Sequence, residues 1–236
     1  MKIVTGPAGL QHHFLLNERA RSASSLFYKG NVVLTKFWKD FAKERIEEIK
    51  TSRSFINGIS PGEVEAAKSP EPEDMKALAK NCLESLGLAQ FHRRINDGST
   101  IVCRGASFHD DLHGWQDSLF LLMYLHGPAR DFIVPGVGCE TIVPGDVVLF
   151  DPARAHGLLQ PGQKTMDPDT WDKKASNLSY FISMDLELSA GLDKLFGIKR
   201  GVDSTFKKRE SKLVDWHGYQ IVPTTGELEL SLLSRG

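Results

Sequence analysis

The chain reads as a mainly β protein with flanking helices, a sandwich or jelly roll, and three observations predict this. From Thr100 to Leu188, short runs rich in β-branched and aromatic residues recur between Gly/Pro turns. Two amphipathic helical segments precede those runs. SLFLLMYL at Ser118–Leu125 reads as a strand, and no run approaches the roughly 18 apolar residues that span a membrane.

At 236 residues, with 41% hydrophobic and 25% charged, the chain can bury a sizeable core. The expected organisation is one compact domain. Residues 1–98 supply N-terminal strands and supporting helices, 99–190 the β core with its site, and 191–236 an extension packing on the barrel. A formal net charge of −1 argues against a dedicated nucleic-acid binder. The segment MKIVTGPAGLQHHF lacks an apolar signal core, and Cys82, Cys103 and Cys139 are isolated rather than paired. A cytoplasmic protein without a membrane anchor is expected.

In chain order, Lys29-Gly30-Asn31 is a turn signal before a strand candidate at Val32–Leu34. Thr35 to Ile49 has helical periodicity, with Phe37, Phe41, Ile46 and Ile49 on the apolar stripe and Trp38 beside it. Ser60 to Asp74 reads as a loop punctuated by Pro61, Gly62, Pro70 and Pro72. A second helix follows to Leu86 on Met75, Leu78, Ala79, Cys82 and Leu83. Asn96-Asp97-Gly98 marks another turn. Strand candidates then run at Ile101–Val102, Ser118–Leu125, Arg130–Val134, Glu140–Val143, Asp146–Phe150 and Leu178–Leu188. Near the end, HGYQIVP and ELELSLL read as two more strands, one returning to the barrel.

The chemistry-bearing pattern lies between Phe108 and Gln160. His109 and Asp111 are two apart, so an extended backbone projects both to one side. His156 follows the turn-flanked strand in PGDVVLFDPARAH. Two histidines and a carboxylate fill one face of an octahedron and leave positions open, which suits Fe(II) that must also bind a chelator and dioxygen. Structural zinc prefers a fourth protein ligand. His113 and Trp115 could border the same site.

On His109, Asp111, His156 and the GDVVLF strand, the stretch from Thr100 to Leu188 resembles the Fe(II)/2-oxoglutarate-dependent dioxygenases. The resemblance implies a double-stranded β-helix, with His109, Asp111 and His156 as iron ligands. It also implies 2-oxoglutarate and dioxygen as cosubstrates, and hydroxylation of a small molecule or an amino-acid residue. Many members anchor the distal carboxylate of 2-oxoglutarate on an Arg-x-Ser pattern shortly after the second histidine, and this chain departs from that. Lys174 with Ser176 is the nearest match, Lys164 and Arg154 compete, and Tyr124 could add a phenol hydrogen bond. PGDVVLFDPARAHGL also resembles the second cupin motif, which leaves open a metalloenzyme that does not use 2-oxoglutarate. A barrel that binds or senses without catalysis is the third reading.

Overall fold

The computed structural model describes residues 1–5, 13–16, 19–51, 64–67, 70, 72–111, 117–164, 177–200, 219–221 and 228–230. The N-terminal elements are β1 (Lys2–Thr5), β2 (His13–Leu16), β3 (Arg19–Ser22), β4 (Leu26–Asn31), α1 (Lys36–Thr51), β5 (Val64–Ala67) and α2 (Pro72–Ser85). The central strands are β6 (Ile95–Cys103), β7 (Ala106–His109), β8 (Ser118–His126), β9 (Arg130–Val134), β10 (Gly138–Ile142), β11 (Asp146–Phe150), β12 (His156–Leu159) and β13 (Ser179–Glu187). After them come α3 (Ala190–Phe196), β14 (Tyr219–Ile221) and β15 (Leu228–Leu230).

Two facing sheets form the body. The larger has the order β1-β4-β11-β8-β13-β6-β5, and the smaller β10-β9-β12-β7. From β6 to β13 the chain passes repeatedly between sheets, with β6, β8, β11 and β13 in one and β7, β9, β10 and β12 in the other. All of these pairings are antiparallel. This is the double-stranded β-helix arrangement of a jelly roll. β1, β4 and β5 extend the larger sheet, and β6 itself runs across residue 98.

Side-chain alternation divides the core in two. Leu119, Leu121 and Met123 of β8, with Tyr180, Ile182 and Met184 of β13, face outward and pack under α1 and α2. Their partners are Trp38, Ala42, Ile46, Leu78, Leu83 and Leu86. Phe120, Tyr124, Phe132, Val148, Phe150 and Phe181 face inward between the sheets. SLFLLMYL is continuously apolar because both of its faces are buried. Fully burying each large apolar side chain contributes about 1.5–3 kcal/mol, so both layers matter to stability.

Several expectations are corrected. Lys29-Gly30-Asn31 lies within β4, and Val32–Leu34 is not a strand. A Cβ at Gly30 would sit 2.7 Å from Ser85 Oγ and 2.8 Å from Leu86 Cδ2, so this glycine admits the end of α2 against the sheet. Asn96 to Gly98 likewise lies inside β6, where a Cβ at Gly98 would come within 2.3 Å of Met75 Cε. The 60–74 loop contains β5, an edge strand pairing Val64 with Cys103 and Ala67 with Thr100. On α1, Trp38 is buried whereas Phe37 is 49% exposed, because the buried stripe is Trp38, Ala42, Ile46 and Ile49. At the C-terminal end, β14 and β15 pair with each other, Tyr219 opposite Leu230, in a separate two-stranded sheet. No described helix is long and apolar enough to cross a membrane.

Candidate metal centre

β7 and β12 lie side by side with His109 and His156 as register partners. Their closeness depends on Gly157, where a Cβ would stand 2.9 Å from Phe108 Cδ1. Asp111 enters just beyond β7, and its backbone N–H donates to Pro152 O at 2.9 Å. That bond ties the HxD segment to the turn leading into His156.

The turn is fixed in its own right. Asp151 receives two N–H bonds from Arg21, at 2.8 and 2.9 Å, and further bonds from the Ser24 and Ala153 amides at 2.8 and 3.0 Å. Arg154 Nε donates to Ser24 O at 3.0 Å. The N-terminal segment therefore clamps the start of the ligand strand.

One ligand atom from each of His109, Asp111 and His156 lies within 4.8 Å of the others. Asp111 Oδ2 is 3.9 Å from His109 Nε2 and 3.5 Å from His156 Nε2. Each histidine is oriented through its other nitrogen: His109 Nδ1 meets Ser107 O at 2.7 Å, and His156 Nδ1 meets Arg154 O at 2.9 Å. With Nδ1–H donating to a carbonyl, the Nε2 lone pair is directed at the shared point, the arrangement that metal-ligating histidines adopt. Burial pushes the His156 pKa well below its ordinary value, the neighbouring His109 adds to this, and the Arg154 carbonyl opposes it. His156 is therefore neutral near pH 7, its ligating form. Burial raises the Asp111 pKa, against the attraction of His109. A divalent cation would supply the charge that this carboxylate lacks, so the donor set fits such an ion.

The triad borders a cavity of about 750 Å³ between the sheets. Its walls are largely apolar, with Ile101, Phe120, Leu122, Phe132, Phe150 and Phe181 among them. At the end away from the triad, the inward positions change character. Arg130 shares its face of β9 with Phe132, Tyr124 its face of β8 with Leu122, and Ser179 its face of β13 with Phe181. Arg130 is 1% exposed. Its Nε donates to Ser179 Oγ at 3.0 Å, and Nη2 donates to Asn177 O and Oδ1 at 2.6 and 2.8 Å. Tyr124 Oη donates to Pro128 O and lies 3.1 Å from Ser179 Oγ. Burial lowers the Arg130 pKa, while Tyr124 and Cys103 oppose that shift.

The sequence candidates divide accordingly. His109, Asp111 and His156 meet at one point. Tyr124 is buried and meets Ser179, which also accepts from Arg130. Lys164 is exposed beyond β12, and Arg154 is held by Ser24. Lys174, Ser176, His113 and Trp115 lie outside the described residues. Sequence reasoning missed Arg130, although a signal was present: it is a charged residue in phase with Phe132 on an apolar strand.

Fold and donor set together define a double-stranded β-helix protein with an open two-histidine, one-carboxylate constellation. No family model and no curated protein matches the chain. Solved structures similar to it include a Pseudomonas putida prolyl-4-hydroxylase, with 12% identity, TM-score 0.43, and coverage of 70% of this chain and 93% of that one. Another is the non-heme alpha-ketoglutarate-dependent carbocyclase SnoK from nogalamycin biosynthesis, at 12% identity and TM-score 0.41, covering 79% and 90%. A predicted oxalate decarboxylase from Thermotoga maritima is similar at 17% identity and TM-score 0.31, covering 54% and 83%.

Proposed function

We propose that the protein is a non-haem Fe(II)- and 2-oxoglutarate-dependent oxygenase that hydroxylates a small molecule or an amino-acid residue. The observation that carries this reading is the pairing of an open His109–Asp111–His156 face with a buried cation, Arg130, at the other end of the same barrel interior. Val134, across from His156, and Arg130 are four strand residues apart, about 13 Å between Cα atoms. A short dicarboxylate held at the metal can span that interval once the side chains reach inward.

His109, Asp111 and His156 hold the ion and leave one side open for the cosubstrate's 2-oxo acid group. Bound iron would activate dioxygen, the oxidant, one of whose atoms would enter succinate as 2-oxoglutarate loses CO2 and the other a substrate C–H bond as hydroxyl. Arg130 takes the distal carboxylate through charge-assisted hydrogen bonds, with Tyr124 and Ser179 as hydroxyl partners. Phe132, Phe150 and Phe181 keep water from the space between the two ends. This chemistry requires no general base.

Adding 2-oxoglutarate to the Fe(II)-loaded protein without oxygen should produce a weak visible charge-transfer band. The band should disappear in Asp111→Ala. A wild-type protein that binds Fe(II) yet gives no band refutes the reading and leaves a metalloprotein that does not use 2-oxoglutarate.

A further inference from the structure

Two hydroxyls on the cavity wall stand apart from both the triad and the Arg130 end. Ser99 of β6 and Ser183 of β13 are register partners on adjacent strands, and both line the cavity that borders the triad. Ser183 is 5% exposed, and among the described residues neither hydroxyl has a hydrogen-bond partner. A buried hydroxyl left without a partner destabilises the fold, a deficit that a hydrogen-bonding ligand removes.

The neighbouring rows fix where the pair sits. Ile101 and Phe181 are the next inward register partners, and they separate it from Cys103 and Ser179, the row beside Arg130. Ser179 and Ser183 are four residues apart, about 13 Å along β13, so the two polar points are distinct, with an apolar row between them. Ser99 lies four residues before Cys103, and His109 three residues after Ala106, on the two sides of the short Arg104-Gly105 connection. Those intervals are about 13 and 10 Å along their strands, which sets Ser99 and Ser183 level with the triad on the facing sheet.

The character of the wall selects the group that can bind there. Among the described residues lining the cavity there is no Lys or Arg, so an anion would gain no cation. Asp185, farther along β13, is already engaged within the protein. The two hydroxyls, each both donor and acceptor, match an uncharged oxygen. Around them the lining is apolar, with Leu122 in register beside Ser183 and with Phe120 and Phe150 beyond it. In such pockets a few placed polar groups fix the orientation of the ligand.

We infer that the primary substrate is an uncharged, largely apolar molecule with a hydroxyl or carbonyl oxygen, and that Ser99 and Ser183 bind that oxygen. Its apolar part lies against Leu122, Phe120 and Phe150, across from the open side of the triad. This rests on the oxygenase reading for taking the occupant to be the substrate; the preference for an uncharged oxygen does not.

The test uses the Fe(II)- and 2-oxoglutarate-loaded protein without oxygen, titrated at pH 7 with 2-naphthol, naphthalene and 2-naphthoate and followed by their fluorescence. 2-Naphthol should bind about tenfold or more tighter than 2-naphthoate. With Ser99→Ala and Ser183→Ala combined, 2-naphthol should bind about tenfold more weakly, while naphthalene and 2-oxoglutarate bind as before. The inference is overturned by 2-naphthoate binding as tightly as 2-naphthol, by no binding of 2-naphthol, by an unchanged 2-naphthol affinity in the variant, or by an equal loss for naphthalene. If the combined variant does not fold, Ser99→Ala at its exposed position decides, with a loss of about threefold expected for 2-naphthol alone. A missing charge-transfer band in the wild type counts against the oxygenase reading instead, and the titrations then proceed with Fe(II) alone.

Discussion

Replacing Arg21 by Met removes the partner of a buried carboxylate at the base of the ligand turn. The two side chains are 3% and 1% exposed and share two hydrogen bonds, so solvent cannot stand in for the lost guanidinium. Breaking a buried pair by deleting one member costs about 3–5 kcal/mol. Asp151 keeps the Ser24 and Ala153 amides, which sets the cost at the lower end. For a chain of this length each kcal/mol moves the melting midpoint by about 2–4 °C, so Arg21→Met should melt about 6–12 °C lower. In a double-mutant cycle with Asp151→Asn, the combined variant should be about 1–3 kcal/mol less destabilised than the two single effects together. Both single variants should also bind Fe(II) about tenfold or more weakly, because the clamped turn carries His156 and, through Pro152 O, holds Asp111. Circular-dichroism melts and metal titrations measure these effects. A midpoint shift below about 2 °C, or single effects that simply add, would refute the reasoning that this pair positions the site.

Three further outcomes follow from the same geometry. Arg130→Met should weaken 2-oxoglutarate about tenfold or more in the anaerobic charge-transfer titration while Fe(II) affinity holds; if Lys174→Met has that effect instead, the anchor lies there. Gly98→Ala places a methyl group within 2.3 Å of Met75 Cε and 2.8 Å of Met184 Cγ and Ser183 O, and should cost about 1–3 kcal/mol in urea unfolding. Burial pushes the Cys103 thiol up to about 11 and raises Cys82 as well, so at pH 8 a maleimide should label exposed Cys139 and spare both. The folded state keeps those two thiols protonated, whereas the unfolded chain loses the protons from about pH 8.5. Their contribution is therefore complete below that pH and is lost as pH rises toward the folded value, and Cys103→Ala should flatten the alkaline decline in urea midpoint.

Much of the architecture was legible in the chain because strand alternation and helix periodicity are local. The apolar face of α2 and the strands at Ser118, Arg130 and Asp146 follow directly from their spacing. The glycines misled for a physical reason. Gly30 sits beside Asn31 and Gly98 beside Asp97, pairs that read as turns, yet both lie within strands where a helix side chain or helix end approaches too closely for a Cβ. A turn glycine supplies backbone freedom and a contact glycine supplies space, and one sequence cannot distinguish them without knowing what packs above. Arg130, the proposed anchor, was not legible for a related reason. The Arg-x-Ser pattern points to cations near His156 in sequence, whereas the barrel places an earlier strand, β9, beside the end of β12.

β13 shows how this fold separates stability from chemistry. Its outward positions, Tyr180, Ile182, Met184 and Leu186, are uniformly apolar because they meet the helices. Its inward positions change from Ser179 beside Arg130, through Phe181, to Ser183 and Asp185 at the mouth. A polar inward residue forfeits apolar burial worth about 1.5–3 kcal/mol per large side chain. Two such interruptions on one strand, one beside Arg130 and one in the cavity that also borders His109, Asp111 and His156, oppose the packing rule that the rest of the strand obeys. Places where the inward phase stops being apolar are thus the places to look for ligand contacts, and by that criterion Arg130, in phase with Phe132 on β9, joins the three metal-binding candidates.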